Sequence, residues 1–214
     1  MGSEMCIRDS FKPYHNLFYL TGGTALSRFY FNHRYSDDLD IFSTGRLEGF
    51  KKRIEQLLIL FGDNDLYSEV EIASDTFVRI FLKRGDVSLK VDFVNELVFH
   101  WGDFRLSEKF GYVDNEMNIL ANKITAVERY EAKDIIDIWA IAKHRSFFWR
   151  DVIANASKKA IVDPIPVSKV IKEMPQEELT KIKWTQGHNL IEIYTDIQKI
   201  SRDIILGKEN SIVS

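Results

Sequence analysis

Two aspartates stand one residue apart at Asp38 and Asp40, in a run, Leu39-Asp40-Ile41-Phe42, that alternates as a β-strand does. On a strand, residues i and i+2 leave the same face, so both carboxylates converge while Leu39 and Ile41 turn toward a core. Carboxylates held side by side repel each other unless a cation lies between them. Oxygen-only ligands of this kind suit Mg²⁺, which keeps several waters and completes its shell with substrate phosphates. The competing reading is a solvated polar edge on an outer strand. Asp37 has the opposite orientation and reads as surface or turn.

Upstream, the apolar run Phe18-Tyr19-Leu20 ends at Gly22-Gly23, and Leu26, Phe29 and Tyr30 then recur at helical spacing. Glycine at such a strand-to-helix turn permits positive φ and lets a phosphate approach the backbone. The N–H groups of the first helical turn then point at it. A tight turn chosen on steric grounds alone would look the same. Downstream, Asp92 interrupts the apolar strand Leu89–Val94, where an unpaired charge would be costly. It is a candidate third acid for the Asp38–Asp40 pair, with an ion pair to Lys90 on its own face as the alternative.

The elements around these residues read as a small mixed sheet with helices, followed by a helical lobe: an α/β (α+β) protein with a catalytic lobe at 11–115 and a helical lobe at 116–214. Leu47–Phe61 carries Phe50, Ile54, Leu57, Leu58 and Phe61 on one helical face. Strands are expected at Tyr67–Ala73, Phe77–Lys83 and Val87–Val94, the last two joined by a hairpin at Lys83-Arg84-Gly85-Asp86. Helices are expected near 117–130, 132–145, 147–159, 166–173 and 188–206, with Pro164–Pro166 as a break. Hydrophobic residues make up 45% and charged residues 29% of the 214, the composition of a globular chain with ample core. One cysteine, Cys6, excludes an intramolecular disulfide and a cysteine zinc site, which favours a reducing compartment such as the cytoplasm. No apolar run approaches the roughly 20 residues needed to cross a bilayer, so no membrane partner is expected. Met1–Ser10 fits nothing that follows and reads as a cloning or gene-calling remnant.

The formal net charge of −3 advertises no polyanion partner, yet it is unevenly spread: 14 basic against 19 acidic residues over 1–116, and 15 against 13 over 117–214. Lys143, Arg145, Arg150, Lys158 and Lys159 are the basic residues of the second half that an RNA would meet, or else they are solvated helix faces. His15, His100, His144 and His188 show no metal-ligand spacing, and the four tryptophans read as packing.

The block Gly22-Gly23-Thr24-Ala25-Leu26, then His33-Arg34-x-Ser36-x-Asp38-Leu39-Asp40-Ile41-Phe42, resembles the AbiEii/AbiGii toxin family of nucleotidyltransferases, within the DNA polymerase β superfamily. The resemblance continues at Asn122-Lys123-Ile124 and Arg129-x-x-x-Lys133-Asp134-Ile135-Ile136-Asp137-Ile138, and covers roughly residues 17–145. It implies the minimal nucleotidyltransferase fold. It also implies that Gly22, Gly23 and Thr24 hold nucleotide phosphates, that Asp38, Asp40 and Asp92 are catalytic acids and metal ligands, and that Lys123 contacts the triphosphate. Asp134 matches the distal acid, a role Asp137 could share, and Arg34 and Ser36 match positions at the phosphates. By their own pattern these last residues have plainer roles. Lys123 either snorkels from an apolar helix face or points into a cleft, and Asp134 stabilises a helix N-terminus. His33 and Arg34 end a helix.

What the resemblance implies in function is transfer of a nucleoside monophosphate from an NTP to an acceptor hydroxyl, with two Mg²⁺ ions. The expected acceptor is RNA, tRNA in some relatives, in a toxin of a toxin–antitoxin or phage-defence pair with a cognate antitoxin. The alternatives are a small-molecule nucleotidyltransferase of the antibiotic-modifying type and a non-catalytic nucleotide- or partner-binding module.

Overall fold

The structure is a computed structural model that describes residues 12–95 and 99–214. Cys6 and the Met1–Ser10 segment lie outside the described residues. The chain forms two compact units, each described by itself: one takes residues up to Ala25, Ser36–Val98 and Asp103–Asp114, the other Leu26–Tyr35, Phe99–Gly102 and Asn115–Ser214.

The first unit is a seven-stranded mixed sheet. Its strands are β1 (Phe18–Thr21), β2 (Asp38–Ser43), β3 (Tyr67–Ala73), β4 (Phe77–Arg84), β5 (Val87–Val94), β6 (Arg105–Ser107) and β7 (Gly111–Val113), in the order β3-β4-β5-β2-β1-β7-β6. β2 runs parallel to β5, and β1 parallel to β7; the other neighbours are antiparallel. Between β1 and β2 lies the short helix α1 (Gly22–Leu26), and between β2 and β3 the longer α2 (Phe50–Gly62).

Register gives the sheet two unlike faces. Leu20, Ile41, Phe93 and Val78 are cross-strand partners in one row, all buried, and Leu39, Val91 and Ile80 form the next row on the same side. The apolar stripe of α2, Phe50, Ile54, Leu57 and Phe61, is buried as its spacing requires. Phe93 meets Phe18 edge-on with ring centroids 5.9 Å apart. The opposite face carries Thr21, Asp38, Asp40, Lys90, Asp92 and Arg79, each one register position from an apolar neighbour. A one-residue slip would exchange the two sets, so burial of the apolar face also fixes which way the acids point. The β4–β5 hairpin turns through Gly85 at φ +57, as expected from the sequence. β6 and β7 were not legible there, because three-residue strands carry too little alternation.

The second unit is helical: α3 (Glu116–Ala126), α4 (Ala132–His144), α5 (Trp149–Ala156), α6 (Pro164–Glu173) and α7 (Leu190–Leu206). A π-helical turn, Ser27–Phe31, which follows α1 along the chain, belongs to this unit. Asn115, Asp163 and Asn189 cap α3, α6 and α7 by accepting backbone N–H bonds. The break expected at Pro164–Pro166 lies just upstream, between α5 and α6; the two prolines sit in the first turn of α6, where a missing N–H costs nothing. α4 packs against α3 and α7, and nine consecutive residues, Asp134–Ala142, are buried. A helix buried on all sides is apolar all round unless its charges are paired, and α4 carries two aspartates.

Among the described residues no helix is long and apolar enough to cross a membrane. Phe93→Ala should destabilise the chain by about 3–5 kcal/mol through loss of transfer energy and the cavity left behind. A melting temperature within 1 °C of the unmodified protein would show that the apolar face is not the core assigned here.

Candidate functional site

On the polar face of the sheet, Thr21, Asp40, Asp92 and Arg79 form one row across β1, β2, β5 and β4. Asp38 lies opposite Lys90 in the next. The register thus brings the three sequence-expected acids together on adjacent strands. Each outer acid has a cation. Lys90 Nζ is 2.8 Å from Asp38 Oδ2. Arg79 grips Asp92 through Nε to Oδ1 at 2.7 Å and Nη2 to Oδ2 at 2.9 Å. The alternative partner considered for Asp92, Lys90, therefore serves Asp38 instead. The Asp92 hydrogen bonds, set against partial burial and aided by the charges of Asp92 and Glu71, raise the Arg79 guanidinium pKa. The sequence reading missed Arg79; its position facing Asp92 across an antiparallel pair is the signal that pairing register would have supplied.

The glycine turn presses on these acids. Gly22 has φ +71, and a Cβ there would lie 2.3 Å from Asp40 Oδ2. Any side chain would both strain the backbone and expel the Asp40 carboxylate, so Gly22 is required by sterics as well as by φ. Thr24 is buried and donates its hydroxyl to the Asp38 carbonyl oxygen. That bond ties α1 to β2 and commits the hydroxyl to the backbone. Thr21 donates to the buried Asp114 carboxylate at 2.6 Å. Ser36 is half-buried in the segment before β2.

Oxygen donors on one face, with a glycine at van der Waals range, fit a hard divalent cation at Asp38 and Asp40. Asp92 fits less directly, because Arg79 occupies both its oxygens. Among the described residues no three His, Cys, Asp or Glu side chains converge closely enough to cage a metal by themselves.

The other residues of the family-like pattern meet within the helical unit. Asp137, with no exposure to water, accepts Arg34 Nε and Nη2, both at 2.8 Å, and lies 2.8 Å from His33 Nε2 and 2.7 Å from Lys123 Nζ. Asp134, also buried, takes Lys123 Nζ at 2.6 Å and Arg129 Nη2 at 3.1 Å. His33 and Arg34 are therefore not an ordinary helix end; both are buried, and Arg34 also receives the Ser27 hydroxyl at its carbonyl oxygen. Lys123 does not snorkel, since its ammonium lies between two carboxylates. Burial alone would push the Asp137 carboxyl up, but the charges of Lys123 and Arg34 and the bonds from His33 and Arg34 outweigh it and hold it well below the usual range. Burial likewise opposes the Lys123 charge, and Asp137 and Asp134 more than offset it, so its pKa is raised.

With this geometry in view, comparison with protein families matches residues 6–186 to the nucleotidyl transferase AbiEii toxin family of type IV toxin–antitoxin systems. The chain belongs to that family and is a nucleotidyltransferase. The match begins inside the segment set apart as a remnant. The fold is similar to that of a protein of H. pylori solved by crystallography, at 18% identity and TM-score 0.65, covering 93% of this chain and 90% of the other. It is similar also to JHP933 from Helicobacter pylori, at 18% and 0.64, covering 93% and 87%. The nucleotidyltransferase toxin MenT4 from Mycobacterium tuberculosis H37Rv shares 13% identity at TM-score 0.60, over 94% and 81%. No curated protein sequence matches the chain.

Asp137→Asn leaves Arg34 and Lys123 buried without their counter-charge and should cost about 3–5 kcal/mol. Because the Asp137 carboxyl is depressed on folding, its contribution is complete above the unfolded carboxylate pKa of about 3.9 and fades as pH falls through the lower folded value. Lys123, raised on folding, contributes fully below about pH 10.4 and loses its share as pH rises through its folded value. Urea melts of both proteins from pH 2 to 7 should show the advantage of the unmodified chain constant above about pH 5 and shrinking in acid. A pH-independent gap would refute the ionic assignment.

Proposed function

We propose that the chain transfers a nucleoside monophosphate from an NTP to a hydroxyl of RNA, with Mg²⁺ held at Asp38 and Asp40. The acceptor oxygen attacks the α-phosphorus, the bond to the bridging oxygen of the β-phosphate breaks, and pyrophosphate leaves with the electron pair. The observation that carries this reading is the Asp38–Asp40 pair on one strand face with Gly22 closed against an Asp40 oxygen. Bound Mg²⁺, two ions in this chemistry, would activate the hydroxyl and steady the departing pyrophosphate. Asp92 is the third acid and accepts the hydroxyl proton; doing so requires Arg79 to yield one of its two bonds. Gly22 and Gly23 leave room for phosphate oxygens beside the backbone. Lys123 has three N–H donors, of which two meet Asp134 and Asp137. The third is the one a triphosphate would take. The reading extends to a toxin acting in the cytoplasm, within a toxin–antitoxin or phage-defence pair, and restrained by an antitoxin.

The helical unit narrows the surface an RNA acceptor would meet. Lys143 is engaged by Glu192 and Asp196, Arg145 by Glu116, and Lys159 by the Phe99 carbonyl and Asn118. Arg150 and Lys158, both exposed, meet Asp151 at 3.7 Å and Asn155 at 3.0 Å and extend over the rings of Phe148 and Phe99, at 4.5 and 4.6 Å from the centroids. Aromatic–cation pairs of this kind suit an unpaired nucleic-acid strand.

Incubation with each labelled NTP, Mg²⁺ and total RNA should label RNA with one preferred nucleotide, and chelation should stop it. Asp38→Asn and Asp40→Asn should each abolish labelling with little change in melting temperature in metal-free buffer, since loss of the half-buried Lys90–Asp38 pair is offset by relief of like-charge repulsion. Full activity in either variant would remove the reading, and labelling of a small molecule in place of RNA would change the acceptor. Arg150→Ala with Lys158→Ala should weaken RNA labelling and flatten its salt dependence by about two phosphate contacts. An unchanged salt slope would put the acceptor elsewhere.

A further inference from the structure

Tyr130 holds a backbone position that tyrosine rarely takes. It ends the 3₁₀ turn Val127–Arg129 at φ +60 and ψ +30, donating its N–H to the Val127 carbonyl at 3.0 Å. Apart from glycines, the described residues with positive φ are Asn32, Asp65 and Tyr130. Asparagine and aspartate tolerate the left-handed region because their short polar side chains bond locally, whereas a bulky side chain there is an outlier. Glycine or asparagine would cap the turn at lower cost.

Packing does not explain the tyrosine. The residue is 73% exposed, and its side chain makes no hydrogen bond or ring contact among the described residues. An aromatic side chain kept in water on a strained backbone adds little to the fold, and strain of this kind collects at ligand sites. The adjacent residue, Arg129, holds Asp134, which in turn holds Lys123. Tyr130 thus belongs to the segment that joins α3, bearing Lys123, to α4, bearing Asp134.

We propose that Tyr130 is a stacking platform for a nucleobase, an assignment that rests on the nucleotidyl-transfer reading above. A flat purine or pyrimidine covers the exposed phenol ring, and the phosphates of the same molecule meet the cations of Arg129 and Lys123. The left-handed backbone turns the side chain away from the helical surface it would otherwise lie along. The base belongs to the incoming NTP or to the RNA acceptor, and stacking serves either because every base has a π-face.

Tyr130→Asn keeps the left-handed conformation and removes the ring; Tyr130→Phe and Tyr130→Trp keep a ring. Equilibrium binding would be measured with each NTP, with inorganic triphosphate and with a single-stranded RNA oligonucleotide, all in Mg²⁺, alongside melting temperature. The Asn variant should bind NTP roughly 5- to 150-fold more weakly, bind inorganic triphosphate unchanged and melt no lower than the unmodified protein. The Phe and Trp variants should retain NTP affinity. If the loss falls on RNA rather than NTP, the stacked base is the acceptor's. Unchanged affinity of the Asn variant for both, or a loss in the Trp variant equal to that in Asn, overturns the platform while transfer itself stands. Equal losses for NTP and inorganic triphosphate overturn it too, because triphosphate has no base. If the unmodified protein neither binds nor turns over any NTP, the transferase reading fails, and this inference with it.

Discussion

Asp137 is a carboxylate with no contact with water, and the helical unit is arranged to keep it charged. An isolated buried carboxylate would take up a proton, since its desolvation costs more than a fold of this size can spare. Arg34 closes on it with two parallel bonds, Lys123 adds a third charge contact, and His33 a hydrogen bond. Those partners come from two stretches of chain remote from α4, which bears Asp137: the segment after the π-turn, and α3. Each is fixed in place by what the others need. The unit therefore holds Lys123, Asp134 and Asp137 in one fixed geometry.

The sheet solves the same problem differently. Its acids share the polar face, Asp38 and Asp40 half-buried and Asp92 buried, and Lys90 and Arg79 neutralise Asp38 and Asp92 across the strands. Cross-strand pairs of opposite charge are worth only fractions of a kcal/mol at exposed positions. The half-buried Lys90–Asp38 pair is therefore held more loosely than the buried partners of Asp137. Gly22 completes this face, because any larger residue would occupy the space of an Asp40 oxygen. On the proposed reading, the Lys90–Asp38 pair compensates the carboxylate while the site is empty and yields it to a metal ion.

How far the chemistry was legible in the sequence depended on the range of the interaction. Asp38 and Asp40 were readable because strand periodicity acts over two residues, and the glycine turn because φ preference is local. The stripe of α2, the β4–β5 hairpin and the run of C-terminal helices followed from the same short-range periodicities. Membership of the nucleotidyltransferase family was legible too, from spacings such as Arg129-x-x-x-Lys133-Asp134, since recurrence of residue types at fixed spacing survives without knowledge of any contact.

Partner choice was decided only by tertiary structure. Nothing local distinguishes Lys90–Asp92 from Lys90–Asp38, since the parallel β2–β5 register that settles it joins residues some fifty positions apart. Arg79 found Asp92 through pairing of β4 with β5, and His33 and Arg34 found Asp137 across more than a hundred residues. Lys123 reads as snorkelling because its stem lies beside Leu120, Ile124 and Val127 on its own helix; Asp134 and Asp137 of α4 hold its ammonium inside instead. Short-range geometry determined which residues are candidates for the chemistry, while long-range packing determined what each is paired with, because the energy of a buried charge depends on every element that displaces water from it.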